Sequence, residues 1–340
     1  TEQTNATGSF DNLEVGKYKI TATLSDGTTE KKKVEKTINI KNLDDMSAYL
    51  FVHFVDTQED ATREQIYFSV SKDGKTWTTL NNKKPYLTSN VGTQGVRDPY
   101  ILRGEEGKFF IIATDLSVYN LKNNWTAAAQ QGSKSIVVWE SSDLVNWSEA
   151  SLVKINNDNA GCTWAPEACY DPEKDEYMVF WASVVSDDSY QKYRIYRSYT
   201  KDFKTFSAPE LYIEEPNAVI DTTIIDHEGT YYRFTKNEAK SSITMQECTS
   251  LSGDWKDVAN YNLGSMTGYE GPTIYKLNGK NEWCLLLDYF SKSKGYKPFV
   301  TTDITKGEFT ADSDFSFDGT YRHGTVMPIT QAEYESLTAE

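Results

Sequence analysis

Asp98, Glu167, Asp221 and Glu270 lie at a similar place in a repeating stretch of this chain, each 34 to 49 residues ahead of an aromatic residue that closes a strand-like run. Carboxyl groups of this kind move protons or hold a cation once they are brought together. The repeat says how that would happen. Five phrases open on Ser or Thr, most with an Asp close behind, and close on Trp77, Trp147, Phe206, Trp255 and Phe309, with 49 to 70 residues between successive aromatics. That is near the length of a four-stranded propeller blade, and five phrases predict five blades. At this phase each acid opens the innermost strand of its blade, so the four converge on one axial pocket. An Asp before Pro, or a Glu in Glu-Gly-Pro, is on its own more often a turn residue. The shared phase sets these apart, but it does not choose among the four.

The fold class expected is therefore all-β, a five-bladed β-propeller spanning residues 46–330. Its first blade uses residues 49–54 and 65–70; the others open at residues 95–101, 162–167, 219–225 and 268–274. The first blade lacks an inner strand with a charged start, so residues 321–328, containing Arg322 and His323, are expected to complete it and close the ring. Residues 116–133 form an insertion in the second blade carrying Tyr119 and Trp125, and loops of that length usually have a task. Thr330-Gln331-Ala332-Glu333 reads as a capping box, so residues 331–340 are expected to be a short helix or tail. Residues 1–45 stand apart: alternation over 17–24, a turn at 25–28 and a second strand over 34–40 make a hairpin too small to be stable alone.

Composition narrows the partners. A formal charge of −15, with scattered basic residues, repels phosphate backbones and excludes nucleic acid as the expected partner. No apolar run is long enough to insert in a membrane. The 22 Tyr and 8 Trp suit both strands and sugar-stacking surfaces. Cys162, Cys169, Cys248 and Cys284 have no zinc spacing and read as free thiols. His53 and His227 read as structural.

Taken together, Arg97-Asp98-Pro99-Tyr100-Ile101, Trp164-Ala165-Pro166-Glu167, Ile220-Asp221, Glu270-Gly271-Pro272 and Arg322-His323 resemble glycoside hydrolase family 43 across the propeller. The resemblance implies an inverting hydrolase acting on arabinofuranose or xylose, with Asp98 as general base, Glu270 as general acid and Asp221 tuning and holding that acid. Thr222 stands where the family often has proline. The resemblance also places His323 near a metal, expected to be calcium at the axis, with no organic cofactor. Trp164 either stacks on a sugar or packs in the core. Arg97 either braces a carboxylate or caps its strand, and Glu167 is either structural or substrate-binding; Arg322 joins the substrate-binding set.

The expected activity is exo-acting release of a terminal pentose, most of all α-L-arabinofuranose, from an oligosaccharide or polysaccharide, with the insertion walling one side of the pocket. β-Xylosidase or galactan-directed activity and a non-catalytic carbohydrate-binding propeller are the alternatives. A monomer, secreted or at the cell surface, is expected. Residues 10–27 further resemble the C-terminal half of bacterial immunoglobulin-like modules, the remnant of which is expected to carry no chemistry.

Overall fold

The computed structural model describes residues 16–25, 30–40, 45–56, 60–104 and 107–339. The chain divides into two compact units, residues 1–46 and 47–340. In the first, strands Gly16–Ser25 and Glu30–Ile40 pair antiparallel, with Tyr18 opposite Ile38. Residues 26–28 of the turn expected at 25–28, and residues 10–15 of the immunoglobulin-like resemblance, lie outside the described residues.

The second unit is five sheets. Four are meanders of consecutive strands, which begin with inner strands Val96–Arg103, Trp164–Asp171, Val219–His227 and Glu270–Lys276. The fifth takes its inner strand, Arg322–Thr330, from the far end of the chain and hydrogen-bonds it to Met46–Phe54. The ring is thus closed by joining the two ends of the unit in one sheet, as the charged start at Arg322 predicts.

Strand alternation builds the cores. In Glu176–Ser183, Tyr177, Val179 and Trp181 pack toward the second blade, against Phe110 and Ile112. Met178, Phe180 and Ala182 pack the other way, against Val219 and Ile220 of the fourth. A period of two therefore gives each blade one apolar face per neighbour, and five such clusters complete the circle. Phe51 and Trp77 meet Tyr275 and Leu286 where the ring closes.

The recurring phrases are turns. Ser71, Ser141 and Thr200 accept through their hydroxyls from the amides of Gly74, Leu144 and Phe203, and those three residues take left-handed φ values of 75°, 67° and 54°. Asp73, Asp143 and Asp202 accept from the next two amides. Such local side-chain bonds reverse the chain and release the closing aromatic into the sheet. Helix Gln331–Thr338 begins with the expected capping box and is no loose tail: Leu337 enters the core between the first two blades, and Glu333 pairs with Arg103 at 2.7 Å.

Candidate active site

Four inner strands open with a bulge, and the bulge decides where each side chain goes. Register slips between Arg97 and Tyr100, Trp164 and Glu167, Ile220 and Thr222, and Glu270 and Thr273. One residue in each slip is left-handed: Asp98 at φ 48°, Ala165 at 47°, Asp221 at 48° and Gly271 at 49°. The common phase of the four acids is therefore a common strand rather than a common position. Asp98 and Asp221 are equivalent; Glu270 stands one residue earlier, in the position of Arg97 and Trp164, and Glu167 stands two residues after Ala165. Pro99, Pro166 and Pro272 follow the left-handed residue, and aligning the sequence on them would have revealed this. Thr222 takes the proline's place, its hydroxyl 3.0 Å from that of Thr235, and Asp221 keeps the φ of Asp98 regardless.

His323 of the closing strand sits among these acids. Its Nδ1 is 3.0 Å from Asp98 Oδ1 and 3.9 Å from Asp221 Oδ2; its Nε2 is 3.0 Å from Glu270 Oε1 and 3.5 Å from Asp288 Oδ2. Burial works against its charge, but Asp221 and Glu270, with the bonds to Asp98 and Glu270, push its pKa well above the usual histidine range. The surrounding carboxylates thus favour the protonated form of the ring. Gly271 leaves room for it, since a Cβ there would lie 2.6 Å from His323 Cδ2.

Calcium accepts carboxylate oxygens, and Asp221, Glu270 and His323 bring potential ligand atoms within 4.8 Å of one another. His323 could ligate a cation only through a neutral ring nitrogen, because an imidazolium has no lone pair to offer. Asp221 and Glu270 offer the oxygen ligands that calcium takes, with His323 beside them.

The acids differ in their surroundings. For Asp98, burial raises the pKa, but the His323 bond and charge, Arg97 and the Thr114 hydroxyl at 2.8 Å bring it below the usual carboxylate range. Asp221 is pushed up to about 6, chiefly by burial with His323 opposing, and accepts from the Gly271 amide at 3.0 Å. Glu270 is buried too, yet His323 and Lys236 hold it well below its ordinary value. Lys236 Nζ is 2.8 Å from Glu270 Oε2 and Arg322 Nη2 is 3.2 Å from Oε1. Burial raises Glu167 well above the usual range, and its Oε2 has no hydrogen-bond partner. Glu167 lines a cavity of about 20 Å³ together with Asp98, Asp221, Gly271 and His323, room for about one water molecule.

The remaining predicted residues lie around this centre. Arg97 braces Glu64 at 3.0 Å rather than a neighbour of the axis, and its guanidinium lies 4.4 Å from the Phe54 ring centroid. Arg322 bridges Glu270 and Asp288. Trp164 is partly exposed, stacked on Tyr193 at 5.3 Å and edge-on to Trp125 at 6.1 Å. His53 is structural as read, bonded to Ser69 and the Phe54 carbonyl. The cysteines are free thiols as read.

Sequence reasoning missed Glu64, Thr114, Lys236 and Asp288. Lys236 and Asp288 left a signal, charges at the ends of otherwise strand-like runs. Glu64, in a polar loop, left none.

The whole propeller matches the glycosyl hydrolase 43-related family, described as "Probable glycosyl hydrolase domain", over residues 44–335. An α-L-arabinofuranosidase of Bifidobacterium longum subsp. longum is 30% identical over 86% of this chain, which spans only 31% of that protein's length. Among solved structures, a GH43 protein of Bacillus licheniformis, BlXynB, superposes with a TM-score of 0.51 at 17% identity, over 84% of this chain and 55% of the other. An exo-β-1,3-galactanase of Phanerochaete chrysosporium gives 0.47 at 16% identity, over 66% and 53%. The chain belongs to the glycosyl hydrolase 43-related family, and its propeller is a glycosyl hydrolase domain.

Proposed function

We propose that the axial site hydrolyses glycosides with inversion and removes a terminal α-L-arabinofuranose. The observation that carries this reading is that Asp98 and Glu270 take opposite nitrogens of the His323 ring, each at 3.0 Å. The imidazole between them keeps the two carboxylates apart, as an inverting pair must be to leave the about 6.5–9.5 Å that admits a water beside the sugar. A retaining pair would be closer, about 5–5.5 Å.

Asp98, held ionised, takes a proton from water as it attacks the anomeric carbon. The departing sugar oxygen takes its proton from Glu270. Glu270 Oε1 and His323 Nε2 lie 3.0 Å apart, and the surrounding charges favour the proton of that contact on Nε2. Moving it onto Oε1 turns the ion pair into a neutral imidazole and a carboxylic acid, with no exchange with solvent. Asp221 holds the Gly271 amide, and so positions the backbone that carries Glu270. Lys236 and Arg322 fix the Glu270 carboxylate and stabilise it once its proton has gone. The choice of arabinofuranose draws on the Bifidobacterium relative.

A side-by-side assay of aryl α-L-arabinofuranoside, β-xyloside and β-galactoside tests the reading. Hydrolysis of the arabinofuranoside well above the other two is expected; sugar binding with no hydrolysis of any would replace it with a non-catalytic propeller.

A further inference from the structure

The insertion in the second blade is fastened from beneath. Glu64, fully buried, accepts from Arg97 Nη1, the Ser117 hydroxyl and the amides of Val118 and Tyr119, all at 3.0 Å. Four donors on one carboxylate fix the root of the insertion to the residue that precedes Asp98. Further along, Asn124 caps the short helix Trp125–Gln130, accepting from Ala127 at 3.0 Å. Ala128 then packs with Leu116 and Val118 against Trp164. The result is a fixed place for Trp125: 5.4 Å from its ring to the Arg97 guanidinium and 6.1 Å, edge-on, to Trp164.

Trp125 is nevertheless 44% exposed. Its ring packs on Arg97 and Trp164, and the rest of its surface faces water as a flat apolar area that a ligand can cover. The arrangement has an order. Asp98 and Ala165 line the axial cavity, Arg97 and Trp164 come one residue before them, and Trp125 lies beyond both.

We propose that Trp125 is the platform for the sugar on the leaving-group side of the scissile bond, forming with Trp164 and Tyr193 an aromatic wall that reads the chain bearing the removed residue. The proposal rests on the glycosidase reading above. A terminal sugar bound at the axis must direct its neighbour outward, and a pyranose ring offers an apolar face that indole covers. Trp125 would then determine specificity without touching the reacting atoms.

The test separates this proposal from the reading beneath it. Isothermal titration with xylotriose and with β-1,3-galactotriose measures the wall directly, whether or not the protein hydrolyses anything. At least one should bind, and Trp125→Ala should weaken it about tenfold, the upper end expected for one aromatic stack, while Trp125→Phe restores most of the loss. Kinetics adds the second arm. On an arabinofuranosyl-substituted xylo-oligosaccharide Trp125→Ala should raise KM by a similar factor with kcat little changed, and on methyl α-L-arabinofuranoside, which brings no second sugar, both constants should stay within about twofold. No binding of either trisaccharide, equal binding by wild type and Trp125→Ala, or equal losses on both substrates would overturn the platform. A wild type that binds a trisaccharide through Trp125 but hydrolyses nothing would keep the platform and overturn the catalytic reading instead.

Discussion

Asp98 and Asp221 are the same position of two different blades, each at φ 48° in the bulge that opens its inner strand. Asp and Asn tolerate this left-handed backbone better than other residues with a Cβ. Replacement by Asn therefore removes the charge and keeps the turn. Asp98→Asn should fall about 10²–10⁴-fold on every glycoside, because water must be activated whatever leaves. Glu270→Gln should fall as far on natural oligosaccharides but much less on aryl glycosides, whose phenol leaves without a proton. Steady-state kinetics of both variants on both substrate types decides it. Equal losses for Glu270→Gln on the two, or a leaving-group dependence in Glu167→Gln instead, would reassign the acid.

Gly271 occupies that position in the fifth blade, and Ala165 occupies it in the third at nearly the same φ. Backbone strain alone therefore does not forbid Ala at 271. The obstacle is His323, whose Cδ2 would be 2.6 Å from the new Cβ. Gly271→Ala is expected to displace the His323 ring from Glu270, lowering the melting temperature and cutting activity at least tenfold, whereas Ala165→Gly leaves activity near wild type. Parallel effects in the two variants would mean that the bulge, and not the ring, sets the requirement.

Glu64 and Arg97 form an ion pair with side chains 0% and 8% exposed. Breaking a buried pair by removing one partner costs about 3–5 kcal/mol. Glu64→Ala should lose stability on that scale in chemical denaturation, and activity should fall as well, because Arg97, next to Asp98, and the insertion lose their common anchor. A stable, fully active variant would remove Glu64 from the account.

His53 is buried, and burial lowers its pKa to about 4, with the Phe54 carbonyl and Asp318 opposing. The folded protein therefore resists a proton that the unfolded chain binds below its ordinary pKa of about 6.5. The stability involved is present above pH 6.5 and is lost as pH falls toward 4, about 3 kcal/mol in all. Asp221, raised to about 6, acts in the opposite direction over part of this range, since its protonation favours the fold. Comparing the melting temperature of wild type with that of His53→Gln from pH 7 to 4 isolates the histidine. The variant should lose less stability on acidification, and an identical slope would contradict the assignment.

How much of this was legible in sequence depended on whether the signal was local. The turn phrases are local: in three of them a hydroxyl, a carboxylate and nearby amides fold the turn, at Ser71, Ser141 and Thr200, so the repeat and the blade count could be read along the chain. The closing strand was legible because Arg322 and His323 are polar residues at the head of an apolar run. The position of the acids was less so. Which of Ala165 and Glu167 is equivalent to Asp98 depends on a bulge, and the only trace of that bulge along the chain is the proline after its left-handed residue, which the spacing to the closing aromatics does not use. Lys236 and Asp288 reach Glu270 and Arg322 across blade boundaries, and Glu64 meets its four donors 33 to 55 residues downstream. Those contacts exist only once neighbouring blades have packed, and the one to Arg322 only once the ring has closed.

The central claim is inversion by a carboxylate pair held apart on the two nitrogens of His323. Following the first turnovers of an arabinofuranoside by proton NMR, before mutarotation mixes the anomers, tests it most directly. An α-linked substrate should release β-arabinofuranose first. Release of the α anomer first would mean retention, would require a nucleophile nearer the anomeric carbon than Asp98 with a water between, and would contradict the account.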